Sequence, residues 1–152
     1  MSTLPRIRDA QGDDLETLID FNQRLAWESE GKRLDPGVIR AGVARALETP
    51  ILCRYFVAEQ DGQIVGQTMV TYELTDWRDG LVWWIQSVYV DAPYRGKGVF
   101  RALYDHVLKT ARAAGDVRGV RLYVEKDNVD AIATYERLGM RRAHFHIYET
   151  EP

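Results

Sequence analysis

The chain is 152 residues long, the usual length of one compact domain, and its 45% hydrophobic and 28% charged residues are ordinary globular composition, too apolar for a disordered chain. Lys and Arg number 20 against 23 Asp and Glu, a formal net charge of -3, so no overall basic field attracts duplex nucleic acid or an anionic membrane surface. One cysteine, Cys53, excludes an intrachain disulfide and a thiolate-rich metal site, and a cytoplasmic protein is expected.

Met1 to Asp9 shows no apolar run of a signal peptide, and the densest apolar stretch, Leu81 to Ile85, is too short to span a bilayer. His106, His144 and His146 lack the paired spacing of a zinc helix. In chain order, a short strand at Arg6 to Asp9 precedes a helix from about Asp13 to Glu28, where Leu15, Leu18, Ile19, Leu25 and Ala26 recur at helical spacing. A polar loop, Gly31 to Pro36, leads to a second helix ending near Leu47, with Pro near its first position. Arg54 to Glu59 and Gln63 to Leu74 read as strands joined at the hairpin signal Asp61-Gly62. A third strand, Leu81 to Val90, is rich in aromatic and β-branched residues and marks the centre of the sheet. A helix from Val99 to Ala114 carries Phe100, Leu103, Tyr104, Val107, Leu108 and Ala111 on one face. Strand Gly119 to Glu125, helix Val129 to Leu138 and a last strand, Arg142 to Glu149, complete one mixed α/β domain over 1-152, order βααβββαβαβ, with at least one parallel strand-helix-strand crossover.

The chemistry concentrates where the third long strand feeds Arg95-Gly96-Lys97-Gly98 and then a helix. Closely spaced glycines at a strand-to-helix turn expose backbone N–H groups at a helix N-terminus, where the dipole adds about half a positive charge. Arg95, Lys97 and Arg101 bring fixed positive charge to the same point, which suits a diphosphate better than a lone carboxylate. The spacing fits neither a Walker-type phosphate loop nor a dinucleotide fingerprint.

Arg95-Gly96-Lys97-Gly98-Val99-Phe100 resembles the R/Q-x-x-G-x-G/A cofactor loop of the GNAT-type acyl-CoA N-acyltransferases, and Asn128-x-x-Ala131-x-x-x-Tyr135-x-x-x-Gly139-Met140 resembles a second motif of that family. The resemblance covers essentially the whole chain. It implies an N-acetyltransferase using acetyl-CoA and no metal, with direct transfer of acetyl to a primary amine on a small molecule or peptide. It further implies that the amides of Arg95 to Phe100 hold the coenzyme A diphosphate, that the strand Val88-Tyr89-Val90 pairs with the pantetheine arm, and that Asn128 lies at the cofactor. The strands ending near Val90 and Glu125 then splay apart to admit the arm. Phe100 departs from the family's Gly or Ala, and is expected to turn into the core beside Leu103 and Tyr104 as part of that helix's apolar stripe.

From spacing alone Asn128 reads as an N-cap and Tyr135 as a core aromatic; the resemblance makes Tyr135 the proton donor to the leaving thiolate, with Tyr89 its nearest competitor. The central strand reads Ile85-Gln86-Ser87 where many members carry a glutamate, and Gln86 and Ser87 are poor bases. Glu125 and Glu73 are the nearest carboxylates; Glu125 either faces the acyl group or pairs with Lys126 or Arg121. The acceptor pocket is expected between the first two helices with the Trp27 to Pro36 loop and Tyr72, Trp83 and Trp84, with Glu28, Glu30 and Asp35 attracting a cationic amine. Rival readings are a non-catalytic acyl-CoA-binding module and an acetyltransferase of protein N-termini or aminoacyl-tRNA. A homodimer is compatible with each.

Overall fold

The computed structural model describes residues 3–152. Five strands, β1 (Arg6–Asp9), β2 (Cys53–Gln60), β3 (Gln63–Thr75), β4 (Gly80–Val90) and β5 (Val117–Leu122), form one sheet in the order β1-β2-β3-β4-β5. The first four pair antiparallel, and β5 joins β4 in parallel. The parallel step is the one that needs a crossover, supplied by helix α3 (Val99–Ala114).

Helix α1 (Leu15–Glu30) closes at Gly31, whose φ of 64° is left-handed and whose N–H reaches the Trp27 carbonyl at 2.9 Å. Helix α2 (Pro36–Glu48) starts on Asp35, whose side chain accepts from the Val38 N–H at 3.0 Å, with Pro36 pre-set for the first turn. Helix α4 is Val129–Arg137.

The two faces of the sheet carry separate cores. Phe56, Val70, Trp83 and Ile85 meet Val99, Leu103 and Val107 of α3 on one face. On the other, Tyr55 and Val57 meet Leu18 of α1 and Val43 of α2. Gly66 permits the close seating of α3: a Cβ there would stand 2.9 Å from Val99 Cγ1 and 3.4 Å from Leu103 Cδ1. The start of α3, and with it the glycine loop, is thus held tight on the sheet.

Two expectations are corrected. β5 ends at Leu122 rather than near Glu125, because its ladder with β4 stops at the Ile85–Leu122 pair. Arg142 to Glu149 has the alternation of a strand but joins no ladder, and its residues are exposed. Alternation specifies which side chains share a face; it does not supply the neighbouring edge that turns an extended segment into a strand.

Candidate active site

β4 runs five residues beyond its last partner on β5, since the ladder ends at Ile85 and β4 continues to Val90. The edge of β4 facing β5 is therefore unpaired from Gln86 onward, and a cleft of about 300 Å³ opens there. Ile85 to Val88 form its floor, Leu122, Tyr123 and Tyr135 one wall, and Asn22, Leu25, Ala26, Ser29, Glu30 and Leu34 the other.

A β-bulge shapes the floor. Gln67 faces Tyr89 and Met69 faces Gln86, so Thr68 alone opposes both Ser87 and Val88. Ser87 takes a positive φ of 52°, a conformation a non-glycine residue keeps only when its surroundings enforce it. Here two buried side chains of β3 do so: Gln67 Nε2 donates to the Ser87 carbonyl at 3.0 Å, and Thr68 Oγ1 to the Gln86 carbonyl at 3.2 Å. The extra residue reverses the alternation of β4. Trp83 and Ile85 face α3 before the bulge, Val88 and Val90 after it, and Tyr89 is turned toward α1, its ring 5.1 Å from that of Phe21.

That reversal builds a clamp between α1 and the glycine loop. The Tyr89 hydroxyl donates to Glu28 Oε2 at 2.6 Å, and Arg95 Nη2 donates to Glu28 Oε1 at 2.7 Å and its Nε to the Val90 carbonyl at 2.8 Å. One turn earlier Arg24 bridges Asp91 at 2.7 Å and also pairs with Asp20. The hydrogen bond from Tyr89, then that from Arg95, holds the Glu28 carboxyl below its usual range, while burial and then Glu28 push the Tyr89 phenol up. Arg95 thus directs its side chain to α1. Lys97 and Arg101 are exposed, the latter 3.8 Å from Asp105.

Gly96 and Gly98 have φ of 72° and 83°, and a Cβ at either would meet nothing within 4 Å. The loop therefore presents open backbone rather than a packed turn, directly before α3, whose first N–H groups have no intrahelical partner. Val99 is buried, and Phe100 packs on the α3 core and edge-on against Tyr135, ring centroids 5.7 Å apart. An anion at this loop meets main chain, two left-handed glycines and exposed Lys97, a donor set suited to a diphosphate.

Of the remaining expected residues, Asn128 caps α4, its Oδ1 accepting from the Ala131 N–H at 3.2 Å. Tyr135 is half-buried in the cleft wall, and burial raises its phenol pKa. Val88 lies on the cleft floor. Glu125 stands in the exposed turn after β5, outside the cleft lining, and Glu73 lies 3.7 Å from Arg121. Of the elements expected around the acceptor, α1 and Leu34 line the cleft and α2 does not; Trp83 packs in the α3 core, 5.4 Å from Tyr72, and neither lines the cleft. Trp84 stacks on Tyr123, ring centroids 4.5 Å apart, at the opposite wall of Leu122, Tyr123 and Tyr135. Cys53 is buried beside α2, its thiol pushed up by burial and its Sγ donating to the Ala46 carbonyl at 3.4 Å. Among the described residues no cluster of side chains could hold a metal ion, and no helix is long and apolar enough to cross a membrane.

The sequence reading missed the bulge at Ser87 and the Glu28–Tyr89–Arg95 clamp. A signal for the first lay in the strand itself: strict alternation places Tyr89 on the face of Trp83 and Ile85, where Val88 and Val90 instead belong.

A family profile described as "Acetyltransferase (GNAT) family" matches residues 16–140. A solved structure of a possible acetyltransferase from Clostridium difficile 630 superposes with a TM-score of 0.93 at 44% identity over 99% of both chains. A predicted acetyltransferase from Clostridium acetobutylicum, solved with acetyl-CoA, shares the fold with a TM-score of 0.78 at 16% identity over 95% of each chain. The mycothiol acetyltransferase of Amycolatopsis mediterranei is 33% identical over 135 residues, 86% of this chain; the chain spans only 44% of that protein's length. With its mixed sheet, opened β4 edge and glycine cradle, the chain belongs to the GNAT acetyltransferase family.

Proposed function

We propose that this chain moves an acetyl group from acetyl-CoA to a primary amine by direct attack. The observation that carries this is the juxtaposition of the Gly96–Gly98 cradle with the unpaired β4 edge and the cleft that holds Tyr135. The loop amides and Lys97 bind the diphosphate, and the free edge from Gln86 to Val90 pairs with the amide-bearing pantetheine arm. The arm brings the thioester to the Ser87–Val88 bulge, where a broken ladder leaves main-chain groups free to hold the acyl oxygen.

The acceptor approaches along the wall formed by α1 and Leu34. Its nitrogen forms the new bond to the acyl carbon as the C–S bond breaks; the departing sulfur takes the Tyr135 phenolic proton, and the proton that the acylated nitrogen sheds returns through water to the phenolate. With its pKa raised by burial, that phenol still carries a proton at neutral pH. An alkylammonium must first lose a proton, at a cost of roughly 4 to 5 kcal/mol at neutral pH. Glu30 is the carboxylate on the cleft wall; it attracts the cationic acceptor, and water relays the proton outward. Glu28 is occupied by Tyr89 and Arg95, and Glu125 is too peripheral to take this part.

Free thiol is measured while acetyl-CoA is offered with polyamines, amino acids, aminoglycosides, other amino sugars and peptides. Turnover with at least one amine class is expected. Calorimetric binding of coenzyme A with no thiol release across the set would make the chain an acyl-CoA-binding module instead.

A further inference from the structure

Helix α1 gives the cleft one stripe of side chains, Asn22, Leu25, Ala26, Ser29 and Glu30, at the spacing of a single helical face. Asn22 is the deepest polar residue of that stripe, 7% exposed, whereas Ser29 and Glu30 are exposed at its far end. A polar side chain at a buried position beside Leu18 and Ala26 destabilises the fold unless its groups find partners. Half of Asn22 has found them. Nδ2 donates to the Leu18 carbonyl at 2.8 Å and to the Tyr55 phenol oxygen at 3.2 Å. Because a carbonyl can only accept, the Leu18 bond fixes which end of the amide is nitrogen. Oδ1 receives no bond from the described residues, yet it is not among the polar atoms sealed in the core, so it opens on the cleft that Asn22 lines.

Tyr55 sets where that oxygen stands. It is buried, and it belongs to the row Tyr55–Met69–Gln86 that crosses the sheet at the edge of the bulge. Burial raises its phenol pKa, and hydrogen bonding from Asn22 and then Ser87 draws it back, which places the phenol between α1 and the bulge. The other polar groups of the stripe are engaged or remote. The Ser29 hydroxyl donates to the Leu25 carbonyl at 2.7 Å. Glu30 follows Asn22 by eight residues, which is about 12 Å along the helix axis.

We propose, on the basis of the amine transfer proposed above, that Asn22 Oδ1 accepts an N–H of the acceptor and holds its nitrogen beside the Ser87–Val88 bulge, with Tyr55 positioning the amide. Committing one N–H to Oδ1 turns the nitrogen lone pair away from α1 and toward the thioester on the β4 edge. A neutral amide suits this place better than a carboxylate, because a negative charge would hold the nitrogen in its protonated, unreactive form. Glu30 draws the cation to the rim, and Asn22 orients it at the floor.

Two readouts on the full chain test this. With the amine that gives the fastest thiol release, Asn22→Leu should lower kcat/KM for the amine about tenfold or more and leave KM for acetyl-CoA unchanged. Tyr55→Phe should lose less, and the double variant should be no slower than Asn22→Leu alone, since Tyr55 acts through Asn22. The second readout is independent of turnover. Titrating n-propylamine into the coenzyme A-loaded protein should shift the side-chain amide resonances of Asn22 in heteronuclear NMR spectra; tetramethylammonium, a cation without N–H, should leave them in place. Unchanged amine kinetics in Asn22→Leu, with thiol release intact, overturns the role of Asn22 and leaves the acetyl transfer standing. A propylamine shift at Asn22 with no thiol release from any amine upholds the amine site and overturns the transfer. Equal shifts from both cations, or none from propylamine, overturn the site, and additive losses in the double variant remove Tyr55 from it. If Asn22→Leu does not fold, the titration of the unaltered chain decides by itself.

Discussion

In the proposed reaction Tyr135 acts through its side chain and Gly98 through its backbone. Tyr135→Phe keeps the edge-on contact with Phe100 and removes only the hydroxyl. A positioned general acid is worth about 10² to 10⁴ in rate, and ground-state binding does not use its proton. Steady-state kinetics should therefore show kcat falling about 100-fold or more with KM for acetyl-CoA little changed. Because burial raises the Tyr135 pKa, its loss of a proton should not depress wild-type kcat until the pH passes about 10, the ordinary tyrosine value. Near-full turnover in the variant would move the donor role to solvent. Gly98 acts through its backbone: φ is 83° and the space above it is empty. Gly98→Val thus meets no clash inside the protein, but a β-branched residue strains that conformation by about 1–3 kcal/mol and stands where phosphate oxygens would approach. Titration calorimetry should show coenzyme A affinity falling more than tenfold in a folded protein; equal affinity would remove the diphosphate from this loop. The left-handed turn at Gly98 was readable in the sequence because the glycines and the helix start that define it are its neighbours on the chain. The partner of Arg95 was not, since Glu28 is 67 positions away and nothing local to either residue announces the pair.

At the scale of elements, periodicity made most of the fold legible. Helices α2 and α3 and the β2–β3 hairpin start and stop within a residue or so of where caps and turns place them. What escaped was decided between elements. The bulge in β4 is enforced by Gln67 and Thr68 on the neighbouring strand, so the alternation of β4 hints at a mismatch near Tyr89 but does not fix where the extra residue sits. Once present, it re-aims Tyr89 so that hydrogen bonds to Glu28 join α1 to β4 and to the start of the glycine loop. Tyr89→Phe tests this. The ring keeps its contact with Phe21, and only the bond to Glu28 is lost. Arg95, Glu28 and Arg24 are all substantially exposed, so the ion pairs that remain, Arg95–Glu28 and Arg24–Asp91, hold α1 weakly. Hydrogen-exchange mass spectrometry should show the last two turns of α1 and residues 92–98 opening faster together, while β2 and α3 are unchanged. Faster exchange confined to one of the two segments would mean that they are not coupled through Tyr89.

The whole molecule is fastened at the opposite edge of the sheet, far from the cleft, by charges that tie β1 to its neighbours. Arg8 joins buried Asp14, with Nη1 to Oδ2 at 2.7 Å and Nη2 to Oδ1 at 3.1 Å, and its Nε reaches Glu59 at 2.8 Å. Asp14 Oδ2 also accepts the Gln11 N–H at 2.7 Å, so one carboxylate links the first strand to the turn that opens α1. Chiefly through the Arg8 bonds, the folded pKa of Asp14 is lowered, as that of Asp9 is by Arg54. The unfolded chain therefore takes up these protons first as the pH falls. The stabilisation is complete above the unfolded value of about 3.9 and is lost as the pH drops through it toward the lower folded value. Asp14→Asn leaves Arg8 without its charged acceptor and should cost about 2 kcal/mol at pH 7. Denaturant midpoints for both proteins at pH 7 and pH 3 provide the check. The gap should be largest at neutral pH and shrink in acid, where protonation of the unfolded chain has removed part of the wild type's stabilisation. A gap of equal size at both values would show that the amide disturbs packing rather than removing a charge, and that the acid limb of stability is set by other carboxylates.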